Sequence, residues 1–537
     1  MPHYFISSAT GLALLVPISV VALDMIRRLV RSSRERKGSP LPPGPTPIPL
    51  LGNALSVDIE EPWKTYTAWK TAYGEVLYAR LLDQEFVVLN SQSDAVELLE
   101  RRSQIYSDRP FIATIETPNV LTGYATDMGS DFFLDSGATM TTGVYAGEYS
   151  IRRFVPIPPS PSAPCRARKM IMNMIDDPDR YAFHYSTFSA AVALSAVYGY
   201  EPKLRNDPMV HILDRFISAV LPATTPENAV LLKMFPFLWC IPDWLPGSSL
   251  KREAKTACEW AVKTVETPYQ YAQERMDANR DPSFSMVSDH IARMQKFDEP
   301  YRSDYTSALK DASATAIIGS TGTTSSTILI FTLAVVQNPH VWKRAQAEID
   351  AVLGMDRLPT FEDRPFLPYV EAVMRETQRW QPVLPLCVPH ATTSSDIYKG
   401  FYIPKGMSCQ VSSTTLICRA ISRDEDRYPN AEQFIPERFL TAEGILTDDN
   451  PAESRDGTVV YPSSGRYTAD ASVWSAIATM LATLEFTPAK DAEGKDIIPE
   501  PKYATGVARH PETFPCYISP RPHINKASLE RVLASDG

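Results

Sequence analysis

Two groups of residues in this 537-residue chain have types and spacings that chemistry could use. The first is Glu376-Thr-Gln-Arg379, where a carboxylate and a guanidinium three residues apart on a helix share a face and can pair. Exposed pairs of this kind are common and contribute little, so the spacing alone assigns no role. The second is Gly319-Ser320-Thr321-Gly322-Thr323-Thr324, whose hydroxyls could relay protons or simply bond back to the carbonyls of their own helix. Other chemistries lack their residues. No GxSxG run is present, and no other nucleophile–base arrangement is readable, so a hydrolase is a remote reading. The seven cysteines contain no CxxC pair, which fits a reducing compartment and argues against a disulfide framework or a zinc site. A net charge of −10 argues against a general nucleic-acid binder.

The elements that position these groups read as mostly helical. Residues 305–337 form a long apolar run that Pro339 ends, and 340–353 then alternate charged and apolar residues at helical spacing. Residues 366–380 form another helix, with Glu376 and Arg379 near its end. Residues 390–413 alternate around Tyr402-Ile-Pro-Lys-Gly406 and predict short strands with turns. Val473, Ile477, Met480, Leu481 and Leu484 lie three or four apart, a buried helical stripe. Residues 491–521 are Pro-rich and strand-like. The fold class is mainly α with a minor β part.

The N-terminus reads as an anchor. Residues 4–23 carry no charge, and a bilayer span needs about 20 apolar residues. Arg27, Arg28, Arg31, Arg34, Arg36 and Lys37 follow, a basic cluster of the kind that stays cytosolic. A cleaved signal peptide would carry its charges ahead of the apolar run. Pro40-Leu-Pro-Pro-Gly-Pro-Thr-Pro-Ile-Pro49 then reads as a stiff, extended spacer.

The downstream order carries a resemblance. After Glu376 and Arg379 come Pro385, Pro389 and His390, then Asp396-Ile-Tyr398-Lys-Gly400, Tyr428-Pro429 and Phe434-Ile-Pro436-Glu437-Arg438-Phe439. This order resembles the cytochrome P450 family. The resemblance implies a heme monooxygenase fold behind an N-terminal transmembrane helix, with Glu376, Arg379 and Arg438 forming a buried triad that supports the heme pocket. It implies that Thr323 helps deliver protons during oxygen activation, although Gly322 stands where the family has an acid. His390 matches a position that often contacts a heme propionate. The tail, with Ala504-Thr-Gly-Val-Ala-Arg-His510-Pro, looks like that of fungal microsomal members that decorate secondary metabolites. Implied partners are an NADPH-dependent cytochrome reductase, a small lipophilic substrate and the membrane, with no nucleic acid. The implied location is the endoplasmic reticulum membrane, single-pass, with the catalytic domain cytosolic. The chain then divides into an anchor (1–26), a basic and Pro-rich hinge (27–53), a P450-like domain (54–522) and a tail (523–537).

The pattern breaks in two places. The family's heme loop reads FxxGxRxCxG in outline, and its cysteine thiolate is the axial iron ligand. Here the corresponding stretch is Asp456-Gly-Thr-Val-Val-Tyr-Pro-Ser463-Ser-Gly465, so Ser463 lies where the cysteine is expected. Tyr461 replaces the arginine and Val459 the glycine. Around 125–168 the family expects a Trp and an Arg one turn apart, yet no Trp occurs between Trp69 and Trp239. The run from Phe154 to Arg166 is so rich in proline that it predicts no helix there. Two functions stay open: a heme-dependent oxidation of a small lipophilic molecule, or a catalytically inactive P450-like membrane protein, equally a gene model lacking the axial cysteine.

Overall fold

The computed structural model describes residues 38–106, 163–223, 238–278, 285–448 and 466–527, apart from 50, 59–60, 82–83, 204–205, 239, 246–247, 297, 300, 355–356, 387–389, 407, 411–421, 505–507, 523 and 525–526. The anchor, Ser463 and most of the tail therefore lie outside the described residues. The chain forms two compact units, one from residues 1–110 and 386–421, the other from 111–385 and 422–537.

The first unit is built on a sheet. Helix α1 (Pro62–Tyr73) leads into β1 (Val76–Leu81) and β2 (Gln84–Leu89), an antiparallel pair in register from Val76 opposite Leu89 to Leu81 opposite Gln84. Four short strands return much later in the chain: β3 (His390–Ala391), β4 (Asp396–Tyr398), β5 (Phe401–Ile403) and β6 (Ser408–Gln410). The sheet order is β1-β2-β6-β3, and β4 pairs with β5 as a separate hairpin. Lys399 and Gly400 both take positive φ between those two strands, as a two-residue hairpin turn requires. Leu77, Phe86, Val87, Val88 and Leu89 are buried and hold the unit together. The described part of the Pro-rich stretch is docked here. The Pro43 carbonyl accepts from Tyr78 N at 2.8 Å and the Pro40 carbonyl from Tyr402 N at 2.7 Å. A Cβ on Gly44 would collide with the Tyr78 carbonyl oxygen, so only glycine permits that approach.

The second unit is mostly helical. It comprises α2 (Ala163–Asp176), α3 (Tyr181–Tyr198), α4 (Pro208–Ala223), α5 (Ser249–Asp277), α6 (Met286–Met294), α7 (Tyr301–Gln337), α8 (Pro339–Leu353), α9 (Pro368–Trp380) and α10 (Arg466–Thr483). A three-stranded sheet, β7 (Leu484–Lys490), β8 (Asp496–Ile497) and β9 (Cys516–Pro520), completes it in the order β8-β7-β9. Helix α7 is the central rod and packs on α3, α5, α9 and α10. It is long and apolar enough over Tyr305–Gln337 to cross a membrane, but 56% of that window is buried in the protein, the mark of a core helix. Ile330, Phe331, Leu333 and Val336 of α7 share one core with Val373 and Met374 of α9 and with Trp474, Ile477 and Leu481 of α10. Pro339 ends α7 and opens α8, since a proline at the first helical position loses no helix hydrogen bond.

Two expectations are corrected. Leu484 is buried as predicted, but it is the first residue of β7 and lies beyond the end of α10. The Pro-rich run ends in helix: α2 begins at Ala163, so Pro164 sits in the first turn, where a missing N–H costs nothing, and Cys165 and Arg166 are helical.

Candidate functional site

Glu376 sits in the last turns of α9, fully buried, and Arg379 lies one turn on. Their spacing joins them as predicted: Arg379 Nε and Nη2 donate to the two Glu376 oxygens at 2.6 and 2.8 Å. The 3-10 turn Pro436–Phe439 brings in Arg438, whose Nε donates to Glu376 Oε1 at 3.2 Å. The amide of Ile435 donates to the same oxygen at 2.8 Å. Arg379 spends its remaining donors on main chain, the carbonyls of Ser422, Ala431 and Gln433 at 2.6, 2.9 and 3.1 Å. Arg438 reaches the Pro429 carbonyl at 2.9 Å. Two guanidiniums on one carboxylate in a dry interior survive only with such full hydrogen bonding. The structure therefore brings Glu376, Arg379 and Arg438 together as a clamp tying α9 to the segment 422–438.

Helix α9 is itself held by a residue the sequence did not flag. Glu348 of α8 accepts from the amides of Tyr369 and Val370 at 2.9 and 3.0 Å, capping the α9 N-terminus from outside. Burial lifts its carboxyl above the ordinary range, and the two amides offset part of that rise. In sequence Glu348 is one of several charges on an amphipathic helix, and nothing there distinguishes it.

Thr323 lies mid-way along α7, half-buried, and its hydroxyl donates to the Gly319 carbonyl at 2.6 Å. Thr321, Ser326 and Thr327 also bond back to the carbonyl four residues before them. Thr324 does not: its hydroxyl is buried and has no partner among the described residues, while Ser189 Oγ donates to the Ser320 carbonyl that Thr324 would use. Ala316, Gly319 and Thr323 share one helix face by their spacing. Gly319 is exposed, and a Cβ on Gly319 or Gly322 would meet no described atom within 4 Å. The core helix thus has an open stretch in its middle. A group could lie against it.

His390 belongs to the first unit. It is buried on β3, with Nδ1 2.8 Å from the Tyr106 carbonyl, which fixes the ring. Arg166 and Arg168 of α2 are buried cations that the proline run hid from sequence reading. Arg166 bonds to Ser195 Oγ at 2.6 Å and pairs with Glu201, and burial lowers the Arg168 pKa. The apolar repeat of Ala163, Ala167, Met170 and Met174 was the signal that could have extended this helix backwards.

The heme that the resemblance implies needs a sulfur donor to its iron, and the stretch that should supply it, residues 456–465, holds no cysteine. Residues 456–465 offer only oxygen donors on their side chains, Asp456, Thr458, Tyr461, Ser463 and Ser464. Among the described residues no cluster of metal-ligating side chains occurs. Cys516 is fixed in β9, and burial pushes its thiol up to about 12, so it is protonated at neutral pH. Cys240 and Cys258 are exposed, the latter on α5 with its pKa also raised by burial of the sulfur. The open face of α7 fits a bound group; the ligand set does not fit thiolate-held iron.

Comparison with known proteins agrees with the scaffold. The family model for Cytochrome P450 matches residues 42–155 and 166–455, leaving out the end of the proline run and stopping just before Asp456. Cytochrome P450 monooxygenase 136 of Postia placenta is 31% identical, covering 91% of this chain and 90% of its own. Cytochrome P450 monooxygenase claR of Ampulloclitocybe clavipes is 30% identical over 96% of this chain and 93% of its own. Cytochrome P450 monooxygenase 208 of Postia placenta is 32% identical over 97% of both. Matched over most of its length, and carrying the buried Glu376–Arg379–Arg438 clamp, the chain belongs to the cytochrome P450 family, whose cofactor is heme and whose fungal relatives here are named monooxygenases.

Proposed function

We propose that this gene serves heme-dependent oxidation of a small lipophilic molecule in fungal secondary metabolism, at the endoplasmic reticulum membrane. The family match over 42–155 and 166–455 is the observation that carries this reading. The two similar Ampulloclitocybe clavipes monooxygenases, claR and claT, support the metabolic setting. The uncharged segment 4–23 and the basic cluster behind it support a single-pass anchor with the remaining chain cytosolic, where a membrane-bound NADPH-dependent reductase could supply electrons. The chain's own contributions are structural: Glu376, Arg379 and Arg438 stiffen the wall behind the pocket, and α7 offers the open face at Gly319, Gly322 and Thr323.

Deleting the gene in the producing fungus and comparing lipophilic extracts tests the reading. A product lost together with accumulation of a precursor one oxygen lighter supports it, and unchanged extracts reject it. A second reading, a silent P450-like membrane protein, is favoured by one specific observation, the serine at position 463.

A further inference from the structure

We infer that this chain keeps the buried clamp and core helices of the P450 scaffold but does not hold heme iron through sulfur, the missing ligand belonging to residues 456–465. The inference rests on the family reading above. Its first support is the completeness of the clamp. Glu376 accepts four hydrogen bonds, from Arg379 Nε and Nη2, Arg438 Nε and the Ile435 amide, all from protein groups. Arg379 places its other donors on three carbonyls. No bond in this network waits on a cofactor, so the support can form without one.

The second support lies on both sides of the break. Described residues before 448 and after 466 share a packed core: Trp474, Ile477 and Leu481 of α10 are wholly buried in one cluster with residues of α7 and α9. Helix α10 is further tied by Arg364, which donates to Asp470 Oδ2 at 2.5 Å and to Glu371 of α9 at 2.9 Å. Among the described residues, helix α7 is open at Gly319 and Gly322. The scaffold has kept its room while losing its ligand.

The third support is the placement of sulfur. None of the seven cysteines is followed by x-Gly. Cys516 pairs with Pro488 in the β7–β9 ladder and carries a protonated thiol next to Tyr181. Cys165 and Cys258 are helical residues of α2 and α5, Cys240 is exposed ahead of α5, Cys409 lies in β6, and Cys387 and Cys418 fall outside the described residues. The oxygen donors of 456–465 are hard ligands and cannot supply the electron density that a thiolate gives iron.

The test uses the full chain, made in a heme-replete host and purified in detergent. The readouts are heme per polypeptide, the absorption spectrum of the reduced, carbon-monoxide-bound protein, and a thermal melt as the fold control. The unmodified chain is expected to melt cooperatively and to show no thiolate-type band. Ser463→Cys is expected to show none either, because Val459 and Tyr461 leave the loop without the glycine and arginine that shape it. Replacing 456–465 by a loop of the FxxGxRxCxG form is expected to raise heme per polypeptide and give a partial band, with full recovery requiring repair of the 125–168 segment as well. A thiolate band from the unmodified chain overturns the inference and leaves the family reading standing. A loop-replaced chain that melts like the parent but gains no heme overturns the assignment of the missing ligand to 456–465, while the family membership, which rests on the sequence match, stands.

Discussion

Four donors converge on the Glu376 carboxylate, two from Arg379, one from Arg438 and one from the Ile435 amide. Removing the acceptor leaves two guanidiniums facing each other in a dry interior. Glu376→Ala is therefore expected to cost about 3–5 kcal/mol of unfolding free energy, the range for breaking a buried pair from one side. Urea denaturation measures it, and a loss below about 1 kcal/mol would mean the clamp is solvated. Thr324 argues in the other direction. Its buried hydroxyl has no partner among the described residues because Ser189 already engages the Ser320 carbonyl. Thr324→Val keeps the shape and removes an unpaid desolvation, so a gain of roughly 1 kcal/mol is expected from the same titration. A loss there would point to a hydrogen bond from a part of the chain outside the described residues. The sequence made the Glu376–Arg379 pair legible, since three-residue spacing dictates a common face. It did not make its burial legible, because the same spacing occurs on surfaces. Only the later Arg438 marked the pair as internal.

Helix boundaries were readable where proline acts as a stop, and misleading where it acts as a start. Pro339 gave the end of α7, but Pro164 hid the beginning of α2, because a first-turn proline and a loop proline look alike in sequence. The Glu348 cap was not legible either, since its partners are brought in by folding, whereas Asp363 completes a local Thr360-x-x-Asp363 capping box that the sequence does carry. Asp363 accepts from Arg357 Nη1 and Nη2 at 2.7 and 2.6 Å and from the Thr360 amide at 2.9 Å, which closes the 3-10 turn Phe361–Phe366 ahead of α9. The Arg357 bonds lower its carboxyl from 3.8 to about 2. A depressed folded-state pKa adds stability that is complete above 3.8 and fades as pH falls toward 2. Asp363→Asn should thus be less stable than the parent at neutral pH by roughly 1 kcal/mol, a modest figure because Arg357 is half exposed and screened. The gap in melting temperature between the two proteins should close below pH 3.8, and a gap that is constant with pH would assign the effect to packing. Phe235, Phe237, Trp239 and Trp244 form an aromatic run that by sequence suits a core or a membrane face, and of these only Trp244 is among the described residues. Trp244 proves 80% exposed, beside Lys251 and Lys255, which both pair with Asp243. An exposed indole among lysines suits a lipid interface. With residues 1–26 removed, the chain should still sediment with anionic liposomes, and Trp244→Ser should reduce that fraction several-fold. Equal sedimentation of both proteins would return Trp244 to an ordinary surface residue.

At the scale of the whole chain, the mainly helical class with a minor sheet part was legible because long apolar runs and proline stops are local signals. The division into two compact units was not, since the first unit collects residues 1–110 and 386–421 across a gap that no local pattern spans. The distribution of similarity along the chain carries the last prediction. An unused enzyme decays everywhere at once, so its match to the family should fade evenly. Here relatives about 30% identical cover 91–97% of the chain, and the family model fits 42–155 and 166–455. The family model leaves out residues 156–165, in the proline run that ends at α2, and everything after 455, beginning with the stretch that should carry the iron ligand. Both failures border regions that still fold, as α2 from Ala163 and α10 from Arg466 demonstrate. Point substitutions would have to strike two short segments and spare their neighbours. Misplaced exon boundaries or retained intron sequence replace short segments whole, and they leave the flanks untouched. The transcript of the producing organism is therefore expected to differ from the present sequence near 154–165 and across 456–465, and to encode a cysteine in place of Ser463. Sequencing full-length complementary DNA decides it. A message that encodes these same residues would make the chain a true scaffold without its ligand, and the oxygenase reading would pass to its relatives alone.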